Sequence, residues 1–452
     1  MPAPARIAAF HALRAVTEGH ADLPAALALS RQTLSDERDR ALAAEIVTGT
    51  ERWQRSLDVL VEHFARRPVA TIDRDVLCIL RLSLYQLLHL DRVPASAVVD
   101  DAVDLARYAR KTSAAGFVNA VLRATLRQRQ RLPLPGRPGS ATDREAALAY
   151  LGITHSHPDW LVARWLDRYG FEAAERWVRF NNETPRLTLC VNTLRSRRED
   201  VAAALAGAGV ETEPTPYAPD GLIVISGNPL RAPADGSFFV QDEASQLVSH
   251  AVAARRGDRI LDLCASPGGK TVAMAADMRD TGLLVACDVR PRRVNLLRQT
   301  VRASGAASVR LVRVPAAGGL PFQRRFDRVL VDAPCSGLGT IRRDPDIRWR
   351  RAERDLHGFA QQQLTLLRRA AAVVDTGGRL VYATCSSEPE ENEHVVDTFL
   401  SEHPDFTLLD LRDENPAAIA PLLDARGMLR TLPFAHGLEA FFAAAMRRRS
   451  RL

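Results

Sequence analysis

The chain has 452 residues, enough for about three domains at roughly 150 residues each. Apolar residues make up 46% and charged residues 25%, a balance that excludes a disordered chain or a fibre. Six cysteines without a CxxC pair exclude a disulfide scaffold and a structural zinc site, so no metal is expected. The best apolar stretch, Val76 to Leu90, is too short for a membrane span and contains Arg81, Gln86 and His89. His11 and Arg14 break the apolar run after Arg6, so a secretory leader is not expected. A cytoplasmic, monomeric protein is the expectation.

Residues 1–132 read as all-helical, with three- and four-residue apolar spacing through Ala41–Phe64, Val76–Leu90, Val98–Tyr108 and Ala114–Leu126. The net charge of +7 is matched by one stretch of this region and the linker after it. Arg110, Lys111, Arg123, Arg127, Arg129, Arg131 and Arg137 are seven basic residues with no acid among them, so the rest of the chain sums to zero. Such a patch suits a polyanion, although a solvated helix face reads the same way. Leu132 to Ser140, rich in proline and glycine, reads as a linker.

A mixed region follows over 145–236. Helices at Trp160–Tyr169 and Glu172–Phe180 precede a strand at Arg186–Val191 and a helix near Glu199–Ala208. Over 237–452 the pattern becomes strand, turn, helix. Strands are expected at Arg259–Leu263, Gly282–Asp288, Ser308–Arg313, Phe326–Asp332 and Arg379–Thr384, with helices such as Arg292–Ala303 and Phe359–Val374 between them. This alternation implies a parallel, doubly wound sheet that binds ligands at the carboxyl ends of its strands. Arg447, Arg448, Arg449 and Arg451 read as a solubilising tail.

Three motifs fall at those strand ends. Ile260-Leu-Asp-Leu-Cys-Ala-Ser-Pro-Gly-Gly-Lys-Thr271 is a strand, a glycine turn and a helix start. Gly269-Lys270-Thr271 fits the end of a phosphate-binding loop, but Cys264 stands where that loop needs its first glycine. Asp288, 26 residues after Asp262, ends the next strand where a carboxylate can take ribose hydroxyls, which favours an adenosyl cofactor over a triphosphate. Val329 to Gly339 carries Asp332, then Pro334-Cys335-Ser336-Gly337; Leu380 to Ser387 carries Cys385, followed by the acidic run Glu388–Glu393, which reads as a helix start. An RNA-remodelling ATPase stays open on Lys270 and Asp332, but it leaves both thiols unexplained.

Most cysteines are small buried hydrophobes, the reading for Cys78, Cys190 and Cys287. Cys335 and Cys385 differ, because both lie on turns just past strands. A thiolate adding to carbon 6 of a pyrimidine makes carbon 5 nucleophilic, and an acid such as Asp332 beside the ring stabilises the adduct. Lys270 and the turn amides are candidates to favour the thiolate. The residues alone do not rank the two sulfurs.

ILDLCASPGGKT, LVDAPCSGLG and YATCSSEPEENE resemble the motifs of the Sun/Fmu (RsmB-type) RNA cytosine-5 methyltransferases. Lys111 to Arg123 resembles a NusB-like RNA-binding domain, and Thr184–Asn192 with Phe239–Glu243 resembles the family's middle domain and the entry to its catalytic domain. The resemblance implies an all-α NusB-like front, a small α+β middle domain and a Rossmann-like methyltransferase domain. It implies S-adenosylmethionine held by Cys264, Ala265, Ser266, Pro267, Gly268, Gly269 and Lys270, with Asp288 on the ribose and Asp332 beside the reacting groups. Cys385 maps to the nucleophile and Cys335 to the thiol that assists release. The implied substrate is a cytosine of 16S ribosomal RNA, with Arg110, Lys111, Arg123, Arg127 and Arg129 along phosphates. One position departs from the family: the acid expected after the third strand, near the adenine, is replaced at about Pro315.

Overall fold

A computed structural model describes residues 1–140, 142–231, 235–413 and 419–449. The chain forms two compact units. The first combines Met1–Glu183 with Ile341–Glu353; the second combines Thr184–Thr340 with the residues from Arg354 onward.

The first unit is helical. Helices Pro4–Thr17, Leu23–Gln32, Glu37–Ala65, Arg74–His89, Ala95–Tyr108 and Ala115–Arg127 pack around Phe10, Ile46, Leu57, Leu60, Ile79, Leu82, Val118 and Leu122. Each such buried side chain contributes about 1.5–3 kcal/mol of transfer free energy. Asp22, Asp36 and Asp73 cap the second, third and fourth of these helices by accepting from backbone N–H groups one turn in. The first two helices go beyond the four periodic segments read in the sequence. The proline-rich stretch after Leu132 is pinned here, since Leu132 and Leu134 pack on the core and Arg137 pairs with Glu172 and Glu175. Helices Asp159–Tyr169 and Phe171–Asn182 follow, with Trp165 and Trp177 stacked 4.5 Å apart.

Segment Ile341–Glu353 is held in this unit by a buried arginine. Arg348 is fully buried and donates to the carbonyls of Arg52, Ser156 and Asn181 and to Oδ1 of Asn182. Trp349 donates to the Glu51 carbonyl at 2.7 Å.

The second unit holds two sheets. The smaller has order β2-β3-β1-β4, all antiparallel, from Thr188–Val191 (β1), Glu211–Pro214 (β2), Gly221–Ser226 (β3) and Phe238–Val240 (β4). Helix Arg198–Gly207 closes its core through Val201 and Leu205. The larger contains Arg259–Asp262 (β5), Leu283–Asp288 (β6), Val309–Arg313 (β7), Phe326–Asp332 (β8), Val374–Thr384 (β9), Phe406–Leu408 (β10), Leu429–Arg430 (β11) and Phe442–Arg448 (β12). Its order is β10-β12-β9-β8-β5-β6-β7, with β11 also on β12.

Strands β5 to β9 pair in parallel, as the strand–helix alternation predicts. Strand alternation splits the core between two faces. Ile260, Leu330, Val381 and Ala383 face one cluster, while Leu261, Val329, Leu380 and Tyr382 face the other. Two readings need correction. The sheet is mixed, because β12 runs antiparallel between β9 and β10. Its Phe-Ala-Ala-Ala-Met run is apolar without alternation, since both faces of a central strand are covered. Arg447 and Arg448 lie in this strand, and Arg448 pairs with Asp405, so they are not a tail; Arg451 lies outside the described residues. Among the described residues no helix is long and apolar enough to cross a membrane.

Candidate active site

The chain runs β5, β6, β7 outward and then returns to β8 beside β5, so the sheet reverses direction of growth between β5 and β8. Four motif residues end strands at that edge: Asp262 on β5, Asp288 on β6, Asp332 on β8 and Thr384 on β9. Cys385 follows β9 directly and Cys335 sits three residues past β8. Their sulfurs are 3.2 Å apart, and both side chains are half-buried. Ala333 donates to the Ala383 carbonyl at 2.8 Å and Gly339 to the Cys385 carbonyl at 2.9 Å, which locks the two turns together. A Cβ on Gly339 would lie 1.9 Å from the Ala440 carbonyl oxygen, so the turn closes only with glycine there.

The two thiols have unequal surroundings. Cys335 is held well above the ordinary thiol range, first by its hydrogen bond to Cys385, then by burial and by the Glu391 carboxylate. It therefore keeps its proton, and the two sulfurs are within hydrogen-bond distance of each other. Lys270 donates to Oδ2 of Asp332 and to Oγ of Ser245, both at 2.8 Å, and its ammonium lies 5.7 Å from the Phe441 ring. Burial alone would lower its affinity for a proton, but the Asp332 carboxylate overrides that and raises it, so Lys270 stays charged.

Two adjoining cavities share Cys264. The first, about 210 Å³, is lined by the Cys264–Pro267 turn, Gly269, Lys270, Asp262, Gln241 and Asp332 among others. The second, about 350 Å³, is lined by residues that include Asp288, Arg290, Val314, Ala316, Gln362 and Arg369. Asp262 is buried; Thr271 donates to its Oδ2 at 2.7 Å, and burial lifts its carboxyl to about 7. Cys264 is pushed up by burial and by Asp262, Asp332 and Asp288, which makes it an inert wall residue. Asp288 accepts from the Arg290 backbone N–H at 3.0 Å and leaves Oδ2 3.9 Å from Arg293. Arg369 donates to the carbonyls of Pro315 and Ala316, fixing the loop that lacks the family's acid.

Three comparisons carry these motifs to known proteins. The model described as 16S rRNA methyltransferase RsmB/F matches residues 249–447, the NusB family matches 3–127, and the RsmF/B-like ferredoxin-like domain matches 157–231. A probable ribosomal RNA small subunit methyltransferase B of Bacillus subtilis is 35% identical over 421 residues, 92% of each chain. The chain belongs to the RsmB/F methyltransferase family. The ribosomal RNA small subunit methyltransferase B of Pseudomonas putida is likewise 35% identical, over 90% of this chain and 92% of that one. The solved structure of PH0851 superposes with a TM-score of 0.80 at 26% identity, covering 99% of both chains. As an RsmB/F member, the protein is an S-adenosylmethionine-dependent RNA methyltransferase with a NusB-type helical front.

The residues present fit that cofactor. Oδ1 of Asp262 and Oε1 of Gln241 are buried acceptors with no partner among the described residues, and both residues line the first cavity. Unpaired acceptors suit the ammonium of an amino-acid group. Gly268 has φ +115°, a conformation that favours glycine, and a Cβ on Gly269 would lie 2.9 Å from Gln241 Oε1, so the bare backbone there leaves Gln241 room. Sequence reasoning gave no site role to Gln241, although it lies within Phe239–Glu243, and missed Ser245 four residues on and Phe441 from a remote segment.

The basic residues lie in the first unit. Arg110, Arg123, Arg127 and Arg129 are exposed. Lys111 pairs with Asp73 at 2.6 Å and Arg129 with Asp91 at 3.7 Å, while Arg123 bonds Asn119. Acids distant in sequence thus offset part of the run. Among the described residues, Arg110 and Arg127 make no ion pair.

Proposed function

We propose that this methyltransferase acts on carbon 5 of a cytosine in 16S ribosomal RNA through a covalent adduct with Cys385. The observation that carries the reading is the 3.2 Å approach of Cys335 and Cys385 beside the Lys270–Asp332 ion pair. Cys385 gives up its proton to solvent and adds as the thiolate to carbon 6, and the ring electrons move onto carbon 5. Asp332 accepts from the exocyclic amine and orients the ring, while Lys270 fixes the Asp332 rotamer and sets a cation near the developing negative charge. Bound S-adenosylmethionine supplies an electrophilic methyl group. Cys335, once deprotonated, takes the carbon 5 proton; those electrons restore the double bond and expel the Cys385 sulfur. Cys264–Lys270, Asp262 and Gln241 hold the amino-acid end of the cofactor, and Asp288 accepts from the ribose hydroxyls.

Arg110, Lys111, Arg123, Arg127 and Arg129 follow RNA phosphates, a sequence-blind and salt-sensitive contribution. Bisulfite mapping of 16S ribosomal and transfer RNA, from cells with and without the protein, tests the substrate. Loss of one 5-methylcytosine in 16S RNA is the expected result; a site lost in transfer RNA instead would overturn it.

A further inference from the structure

The acidic run after Cys385 reads as a helix start, yet two of its members, Glu388 and Glu391, are fully buried, and Glu391 reaches both cysteine turns. Glu391 is fully buried, and helix Glu393–Glu402 begins after it. Its Oε1 accepts from the Ser336 backbone N–H at 2.8 Å and from Gln363 Nε2 at 2.9 Å. Its Oε2 accepts from the hydroxyls of Ser336 and Ser386, both at 2.5 Å, and the two hydroxyls are 3.2 Å apart. Those serines immediately follow Cys335 and Cys385. The same Gln363 also donates to the Pro334 carbonyl at 3.1 Å, and Tyr382 donates to the Glu391 carbonyl.

A buried carboxylate without a cationic partner is costly unless several donors satisfy it. Here four donors do, and three belong to the residues next to the thiols. We infer that Glu391 is a positioning residue for the two-thiol reaction: one carboxylate gathers Ser336 and Ser386, and so fixes the separation and direction of the Cys335 and Cys385 sulfurs. This rests on the adduct chemistry proposed above. The carboxylate has a second consequence, since its charge helps keep Cys335 protonated in the resting site.

Glu391→Gln keeps the size of the side chain and removes the charge; Ser336→Ala with Ser386→Ala keeps the charge and removes the tethers. Each is compared with the intact protein in adduct formation on a 16S RNA fragment carrying 5-fluorocytosine, in kcat, in cofactor Kd by calorimetry, and in the rate at which diamide joins Cys335 to Cys385. Glu391→Gln is expected to slow adduct formation and kcat at least about tenfold, as a small misplacement of reacting groups does, with cofactor Kd unchanged. The rising limb of its pH–rate profile should move to lower pH, which a purely structural residue would not cause. The double serine variant should slow both adduct formation and diamide joining, and it decides the matter should Glu391→Gln fail to fold. Unchanged rates in a folded variant overturn the role of Glu391. No adduct with the intact protein overturns the underlying chemistry instead.

Discussion

The turns after β8 and β9 carry the same Cys-Ser pair, tied to the same carboxylate, yet they differ in what faces the sulfur. Cys335 meets another thiol and the Glu391 charge, and keeps its proton. Cys385 lies on the side of Lys270, whose ammonium is favoured in part by that thiol. The same Cys-Ser pair is thus proposed as a proton holder on one turn and as the nucleophile on the next. In the proposed reaction, the neighbouring charges of Glu391 and Lys270, brought from other segments, distinguish the two thiols.

Removing each thiol should break the comparison most sharply. Cys385→Ala is expected to abolish methylation and every covalent RNA species on a denaturing gel. Cys335→Ala should lower turnover at least about a hundredfold while the adduct accumulates. An adduct seen with Cys385→Ala and lost with Cys335→Ala would exchange the roles.

A pH series probes the same asymmetry without mutation. A base must be deprotonated to act, and the Cys335 proton is held above the usual thiol range. Release of methylated product should therefore rise about tenfold per pH unit from neutral into the alkaline range, with adduct persisting longest at low pH. A flat release rate in rapid-quench experiments would remove Cys335 as the base.

Lys270→Met would strip the charge on the Cys385 side and free Asp332. Adduct formation should slow by roughly 10–100-fold, while release of preformed adduct changes less. Equal slowing of both steps would mean that Lys270 does not distinguish the two turns. The smallest effect belongs to the first unit. Arg127→Ala should reduce the slope of log affinity against log salt by about one unit, and leave the ratio of adduct formation to release alone.

Much of this site was legible in the chain. Asp262, Asp288, Asp332, Cys335 and Cys385 sit at ends of apolar strands, where a parallel sheet must gather them. Glu391 was not legible, because it is one of four glutamates in Glu388–Glu393, two of them buried, and only the fold brings its carboxylate to Ser336 and Ser386. Gln363 and Tyr382 read as an ordinary helix residue and an ordinary strand aromatic. The antiparallel β12 was missed because its partners are remote in sequence and its apolar run is short.

By itself the sequence determined the helical front, the strand–turn–helix order and the residue types at the strand ends, since periodicity and turn chemistry act over a few residues. Tertiary structure alone decided which acids offset the basic run, which glutamates went inside and how far apart two sulfurs lie. Those outcomes depend on burial and on charges brought together from distant segments, and no local pattern encodes them.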